Sequence, residues 1–275
     1  MNTTEDMNTR LTKEDQALIK EAKGNKFSGP IYSEDGLRLL RVLGNPEFLE
    51  VEDGVKAICD EAFQGLDNLH DVVLPESVVD LGTRVFASCR KLFKVTMPGV
   101  EFIGKECFGL CDNLKEIALP ETLRQIRAGA FACCKALEEI KIPSHLNIID
   151  KSAFRSSGLK SLNIVIRDDC ECCIYDKAFA SCKHLESVYL NKNVKIVERM
   201  AFADCTSLKT IEFEQPSLTC CTGEINATML IGCTSLEKII VPKNKYNAYP
   251  DFNINGYESA QFETRDFNSL ITPKE

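Results

Sequence analysis

Apolar residues recur along the chain with a period of about 23 residues, which is typical of repeat architectures. The largest apolar residue of each repeat is a phenylalanine, and seven of them follow one another at intervals of 22 to 25 residues: Phe63, Phe86, Phe108, Phe131, Phe154, Phe179 and Phe202. Five positions before each phenylalanine stands an aliphatic residue: Ile58, Leu81, Ile103, Ile126, Ile149, Ile174 and Val197. An eighth copy has Ile225 and Leu230 in the same two roles.

A second apolar pattern lies downstream of each phenylalanine and reads L-x-x-I-x-I, as in Leu114, Ile117 and Leu119. Its last two apolar positions alternate with period two, which predicts a β-strand with one buried face. Proline often follows and ends the strand, because it cannot donate a ladder hydrogen bond. Glu121–Ile126 then predicts a second short extended segment, and Gly129–Cys134 predicts a single helical or 3₁₀ turn.

These elements predict a solenoid. A single coil of about 23 residues cannot bury its own apolar side, whereas stacked coils cover one another. Since parallel strands stack ~4.8 Å apart, eight coils would form a rod or arc on the order of 40 Å long.

The repeat consensus, I-x-x-x-A-F-x-x-C-x-x-L-x-x-I-x-I-P, is similar to the BspA-like subclass of leucine-rich repeats. The alanine of this consensus is present at Ala62, Ala130, Ala153, Ala178 and Ala201, and the cysteine at Cys89, Cys111, Cys134, Cys182, Cys205 and Cys233. The resemblance covers roughly Glu34 to Pro242. It implies a β-rich α/β fold, namely a right-handed solenoid with a parallel sheet on its concave face and short helical or 3₁₀ turns on its convex side. It also implies a recognition role without catalysis, since many relatives resemble surface proteins that bind host or neighbouring-cell proteins.

The pattern divides the chain into three parts: an N-terminal helical or capping segment at 1–35, an array of about eight to nine coils at 36–242, and a C-terminal aromatic cap at 243–275. In the first part, Thr12 as N-cap, Asp15 three residues later and Gly24 as C-cap predict a short helix. In the last part, Asn255-Gly256 is a hairpin-turn signal. The aromatic residues of this part are Tyr246, Tyr249, Phe252, Tyr257, Phe262 and Phe267.

Composition narrows the functional classes. The 275 residues include 33 Lys and Arg against 41 Asp and Glu, so the formal net charge is −8, which argues against nucleic-acid binding. No apolar run reaches the ~18 residues that a membrane helix needs, and the N-terminal residues lack a secretory h-region. We therefore expect a cytoplasmic protein without membrane insertion, or a surface or secreted one if Met1 is not the natural start.

Eleven of the 14 cysteines fall into two classes. Six share the repeat position named above, where we expect small inward-facing apolar side chains with reduced thiols. Two longer coils carry five off-pattern cysteines, which we expect in insertion loops: Cys170, Cys172, Cys173, Cys220 and Cys221. A zinc or redox site at these loop cysteines is an alternative to ordinary cysteines, but we expect no cofactor.

The sequence offers no clear candidate for a catalytic residue. The three histidines, His70, His145 and His184, belong to different repeats. The sequence contains no H-E-x-x-H, G-x-S-x-G, G-x-x-x-x-G-K-[ST] or G-x-G-x-x-G motif, so we do not expect an enzyme.

Binding should involve the outward positions of the repeat strands, because successive strand residues point to opposite faces. One outward column reads Val73, Thr96, Ala118, Lys141, Asn163, Tyr189, Glu212 and Ile240. From this column and its neighbour we select six residues as partner contacts: Tyr189, Lys141, Asn163, Glu212, Thr96 and Ser187. The expected function is a non-catalytic module that binds a protein partner. The alternatives are an adhesin-like surface protein and a zinc- or redox-responsive module.

Overall fold

The structure is a computed structural model that describes residues 9–214, 227–242 and 261–265. The segment that precedes each phenylalanine forms a nine-stranded sheet. In spatial order its strands are β1 (Gly29–Tyr32), β2 (Arg38–Leu43), β4 (Ala57–Ile58), β6 (Asp80–Leu81), β8 (Phe102–Ile103), β10 (Gln125–Ile126), β11 (Ile148–Ile149), β13 (Cys172–Ile174) and β15 (Val194–Val197). β1 pairs with β2 in antiparallel orientation, and every later pair is parallel.

The L-x-x-I-x-I segments form two further parallel sheets. The four-stranded sheet contains β3 (Phe48–Glu50), β5 (Asp71–Val73), β7 (Lys94–Thr96) and β9 (Glu116–Ile117). The five-stranded sheet contains β12 (Ser161–Ile164), β14 (Ser187–Leu190), β16 (Thr210–Phe213), β17 (Lys238–Pro242) and β18 (Gln261–Arg265). The predicted solenoid with parallel sheets is therefore confirmed.

A break separates these two sheets at residues 138–142, which form no strand although they carry the repeat pattern. The turn that follows is one residue shorter, since Leu159 comes five residues after Phe154 instead of the usual six. Its backbone runs close to the preceding coil, because a Cβ added to Gly158 would lie 2.0 Å from the carbonyl oxygen of Lys135. The shortened turn thus coincides with the loss of regular pairing.

The Ala-Phe segments are tandem turns. In the first repeat, the N–H of Ala62 bonds to the carbonyl of Cys59 and the N–H of Leu66 to that of Phe63, at 3.2 and 3.3 Å. Residues two before and two after the phenylalanine have positive φ, including Glu61, Arg84, Ser88, Glu106, Leu110, Cys133, Ser152, Ser156, Lys177, Ser181, Met200 and Asp204. Among the described residues, only Ala227–Leu230 of this segment forms a 3₁₀ helix, so the expectation of a helical turn holds for that coil alone.

These turns also connect neighbouring coils. The N–H of Glu61 donates to the carbonyl of Thr83, and that of Phe63 to Val85, both at 2.9 Å, and equivalent bonds recur along the array. Left-handed φ values are rare for residues such as Glu and Leu. Here the hydrogen bonds between neighbouring coils stabilise these φ values. The turn side of each coil is therefore hydrogen-bonded to its neighbours, as the two strand sides are.

The main core is one continuous cluster that extends from Leu39 to Val241, and a smaller cluster at the N-terminal end contains Ile19, Ile31, Leu40 and Cys59. All seven repeat phenylalanines are 0% exposed, and neighbouring rings lie 4.7 to 5.4 Å apart between centroids. This spacing matches that of the strands, so each ring packs directly on the ring of the next coil.

The N-terminal segment contains the helix α1 (Lys13–Gly24), with the predicted capping box between Thr12 and Asp15. Its C-cap is Asn25 and not Gly24, because the N–H of Asn25 still bonds to the carbonyl of Glu21. The helix packs beside β2, where the carboxylate of Asp15 pairs with the guanidinium of Arg38 at 2.9 Å.

At the other end, β18 pairs with β17 in parallel, so regular sheet pairing continues beyond Pro242 into the segment that we expected to form an aromatic cap. Ile225, Asn255-Gly256 and most aromatic residues of that segment lie outside the described residues.

Candidate partner-binding surface

The five-stranded sheet brings together four of the six residues selected from the sequence. Asn163, Tyr189 and Glu212 are direct register neighbours in β12, β14 and β16. Ser187 precedes Tyr189 by two residues and is exposed on the same face. Since adjacent strands lie ~4.8 Å apart, these side chains form one continuous patch about 10 Å long. We call these four residues the Tyr189 patch.

The other two selected residues lie apart from this patch. Thr96 is exposed in β7 of the four-stranded sheet, three coils and roughly 14 Å of stacking distance from Asn163. Lys141 lies in the break between the two sheets, with its side chain 87% exposed and 3.5 Å from the carboxylate of Glu121. The outward column predicted from the sequence is therefore interrupted in the middle.

One further member of that column does not face solvent. Ile240 is only 5% exposed, although its register places it beside Glu212. The prediction that it contributes to the outward surface is therefore wrong.

Glu214 holds the aromatic side chain in place. The hydroxyl of Tyr189 donates a short hydrogen bond to its carboxylate, whose second oxygen accepts the N–H of Lys192 at 3.0 Å. The Tyr189 ring is half-buried in this arrangement. A positioned aromatic side chain loses little conformational entropy when it binds a partner. Glu214 was not selected from the sequence, although it directly follows β16, at the position where most other repeats have proline.

An alternating column of charges borders the patch. It occupies the position after the leucine in the last six of the eight L-x-x-I-x-I segments and reads Lys115, Glu138, Lys160, Glu186, Lys209 and Glu237. Lys160 pairs with Glu138 at 2.6 Å, and Lys209 pairs with Glu186 at 2.9 Å. The hydrogen bond from each lysine lowers the pKa of its glutamate. Because opposite charges alternate, this border carries no single-sign field, and sequence analysis missed it.

Comparison with known families identifies the repeat. A model of the BspA type leucine rich repeat region matches residues 44–160 and 172–262, with six copies. The chain belongs to the BspA-type leucine-rich repeat family. The expected resemblance is thereby confirmed.

Solved structures of leucine-rich repeat proteins are similar to this BspA-type chain. A leucine rich cell surface protein from Faecalibacterium prausnitzii has 18% identity over 78% of this chain and 80% of its own, with a TM-score of 0.46. A leucine-rich repeat protein from T. pallidum has 23% identity over 88% and 97%, with a TM-score of 0.48. One from Bacteroides ovatus has 20% identity over 78% and 70%, with a TM-score of 0.45. Among curated proteins, none matches the chain significantly.

The cysteines of the BspA-type repeat form a hydrogen-bonded ladder in the core. Each thiol donates to the carbonyl of the phenylalanine in the preceding coil at 3.0 to 3.2 Å, and the six donors are Cys89, Cys111, Cys134, Cys182, Cys205 and Cys233. All six are fully buried, as predicted. Burial raises the pKa of Cys89 to about 12. Cysteines buried in an apolar core are inert, and all six are shielded from solvent, so this ladder is structural.

The off-pattern cysteines differ from the expected loop group. Cys172 and Cys173 lie in β13, and Cys172 is fully buried in the core while Cys173 is half-exposed. Burial raises the pKa of Cys172 well above its ordinary value. Adjacent strand residues point to opposite faces, so these two thiols do not converge on one ion. No cluster of three metal-ligating side chains occurs within residues 9–214, 227–242 and 261–265, and Cys220 and Cys221 lie outside them.

One histidine contacts a serine, but not in a catalytic arrangement. Nδ1 of His145 lies 3.4 Å from Oγ of Ser144, and its Nε2 lies 2.8 Å from the guanidinium of Arg167. A guanidinium only donates hydrogen bonds, so Nε2 is the acceptor and Nδ1 carries the proton. His145 therefore cannot accept the Ser144 proton at Nδ1, as a general base would have to.

The helices of the described residues were also compared with the requirements of a membrane span. Within the part of the chain that the structure describes, no helix has the length and hydrophobicity needed to cross a bilayer.

Proposed function

We propose that this chain is a non-catalytic interaction module that binds a protein partner through the Tyr189 patch. The observation that carries this proposal is the Tyr189 ring, which is fixed by Glu214 on the outward face of a rigid parallel sheet. Tyrosine is enriched among the residues that dominate protein interfaces. Asn163, Ser187 and Glu212 surround it with polar groups that can pair with a partner's backbone.

The Tyr189 patch is smaller than a complete protein interface. A stable interface buries about 800 Å² on each partner, which is more than four side chains provide. The partner would therefore extend over the alternating charge column on one side, with Lys141 at its periphery. In this arrangement Tyr189 lies near the centre, where truncation is most costly, and the charged border contributes orientation more than affinity.

The test uses a partner captured by the wild-type chain and identified by mass spectrometry, whose Kd is then measured against variants. Tyr189→Ala should weaken binding by at least ~10-fold, as expected for an interface hot spot, and Lys141→Ala by less. Tyr189→Phe keeps the ring but loses the bond to Glu214, so its effect should be intermediate. Phe27→Ala, at an exposed aromatic residue outside this sheet, is the matched control. Unchanged binding by the Tyr189→Ala, Lys141→Ala double variant would remove this face from consideration.

The adhesin-like alternative uses the same chemistry in a different place. If the chain is displayed on a cell surface, its partner is a protein of a host or neighbouring cell. An antibody against the chain that labels intact cells would support that alternative, whereas labelling only after permeabilisation would contradict it.

A further inference from the structure

The N-terminal end of the four-stranded sheet has an open edge. Its first strand, β3, pairs with β5 on one side, and the described residues contain no strand on its other side. The nine-stranded sheet differs at the same end of the solenoid, because there β1 adds in antiparallel orientation and covers β2. Within the described ranges, one sheet end is thus covered by a strand and the other is not.

The hydrogen bonds of β3 show which backbone groups are open. The carbonyl of Glu47 accepts from His70, and the N–H of Val51 donates to the carbonyl of Val73, so these groups face β5. Backbone direction alternates along a strand, and the N–H and C=O groups of Phe48 and Glu50 therefore face away from β5. None of these four groups has a hydrogen-bond partner among the described residues.

The side chains of this edge are apolar and acidic. Phe48 is 54% exposed, and its alternation with Leu49 places it on the outward face together with Glu50. Four exposed acids lie within seven residues, namely Glu47, Glu50, Glu52 and Asp53, and the segment 42–55 contains no lysine or arginine. None of these carboxylates forms an ion pair with a described residue.

Charge decides which occupant fits. Proteins often protect an open edge with lysine, with proline or by covering it; here Pro46 precedes the strand, and the charged residues of segment 42–55 are all acidic. A second copy that paired its own β3 with this strand would bring like charges together, which is unfavourable. A basic extended segment would satisfy the backbone groups and the charges at once.

From this geometry we infer that the open edge of β3 binds an extended, lysine- or arginine-rich segment of a partner protein by strand addition. The segment forms main-chain hydrogen bonds with Phe48 and Glu50, and places an apolar side chain against the Phe48 ring and basic side chains beside Glu47 and Glu50. This site lies in the other sheet from the Tyr189 patch and does not depend on it.

The test titrates the full chain into a fluorescein-labelled peptide of alternating lysine and valine, followed by fluorescence anisotropy, with a glutamate-for-lysine peptide as the control. The basic peptide should bind at least ~10-fold more tightly, and its affinity should fall as salt rises. In an amide NMR spectrum the shifts should centre on Phe48, Leu49 and Glu50. Equal binding of both peptides, shifts centred elsewhere, or no binding at millimolar peptide would each overturn the inference.

Two variants address the edge itself. Glu50→Pro removes an N–H that faces away from β5, so it should preserve the sheet and weaken peptide binding by about tenfold or more. Should this variant not fold, Glu47→Lys with Glu50→Lys reverses the charge and should make the acidic peptide the tighter ligand. Tyr189→Ala should leave peptide binding unchanged, which separates this inference from the proposed function. Wild-type affinity in Glu50→Pro, or a dimer that Glu50→Pro abolishes, would contradict it.

Discussion

Replacing Phe131 by alanine should destabilise the centre of the solenoid. The Phe131 side chain is 0% exposed, and its ring lies 5.1 Å from that of Phe108 and 5.0 Å from that of Phe154, almost parallel to both. The substitution removes both ring contacts and leaves a cavity in a core that has coils above and below it. The fold cannot close this cavity easily, because the hydrogen-bonded ladders fix the spacing of the coils.

The expected magnitude follows from these contacts. Truncating a buried phenylalanine to alanine costs about 3–5 kcal/mol of unfolding free energy, and each ring pair contributes roughly 0.5–1.5 kcal/mol beyond the buried area. Phe63 has a ring neighbour on one side only among the repeat phenylalanines, namely Phe86. Phe63→Ala should therefore cost less than Phe131→Ala by about one ring pair.

The assay is guanidinium unfolding followed by far-UV circular dichroism, with Phe48→Ala as an exposed control that should change stability by no more than ~0.5 kcal/mol. Repeat arrays are stabilised mainly by contacts between neighbouring coils, so the Phe131→Ala variant should also unfold in two steps, one for each side of the defect. A loss below ~1.5 kcal/mol, or a loss equal to that of Phe48→Ala, would refute the stacked-core reasoning.

Three further predictions follow from the thiols and from the break in the sheet. In a pH series of unfolding midpoints, the stability of the chain should fall steadily above pH 9. Burial raises the pKa of Cys59 and Cys89 to about 12 in the folded chain, against an ordinary value of 9.0, so the unfolded chain releases these protons first. A flat profile up to pH 11 would contradict this. Iodoacetamide under native conditions, with peptides mapped by mass spectrometry, should label the half-exposed thiols long before the buried ladder, whereas uniform labelling would argue against the core assignment. Among the described cysteines the half-exposed ones are Cys133, Cys170 and Cys173. Backbone amides of residues 139–142, which lack strand pairing, should exchange with deuterium at least ~10-fold faster than those of β14; equal protection would mean that the sheet is continuous.

The repeat itself was predictable because its signal is redundant. The period of the phenylalanines, the alternation in L-x-x-I-x-I and the terminating prolines all point to the same coil. Each of the seven phenylalanines is buried as expected, since no other arrangement would cover so regular an apolar series.

The turns were not predictable in the same way. Residues such as Glu61 and Leu110 adopt positive φ, which their side chains do not favour. The hydrogen bonds between coils impose this conformation, and such bonds are a tertiary effect that local sequence does not reveal. The same limit explains why the thiol-to-carbonyl bonds of the ladder were missed, although the burial of the cysteines was predicted from their regular spacing.

Irregular coils limited the prediction of the binding surface. The outward column is interrupted near Lys141, where the turn before Leu159 is one residue shorter, and Cys172 at the end of the insertion 167–173 lies in a strand instead of a loop. Alternation along one strand predicted which face Asn163 and Tyr189 occupy. The bond from Tyr189 to Glu214 connects residues 25 positions apart, and only the stacking of two coils brings them together.

A crystal structure of the full chain would show the stacked phenylalanine row itself. The rings from Phe63 to Phe202 should form one uninterrupted row, buried from solvent, with neighbouring centroids about 5 Å apart. Rings that are exposed to solvent, or that belong to separate hydrophobic clusters, would contradict this prediction.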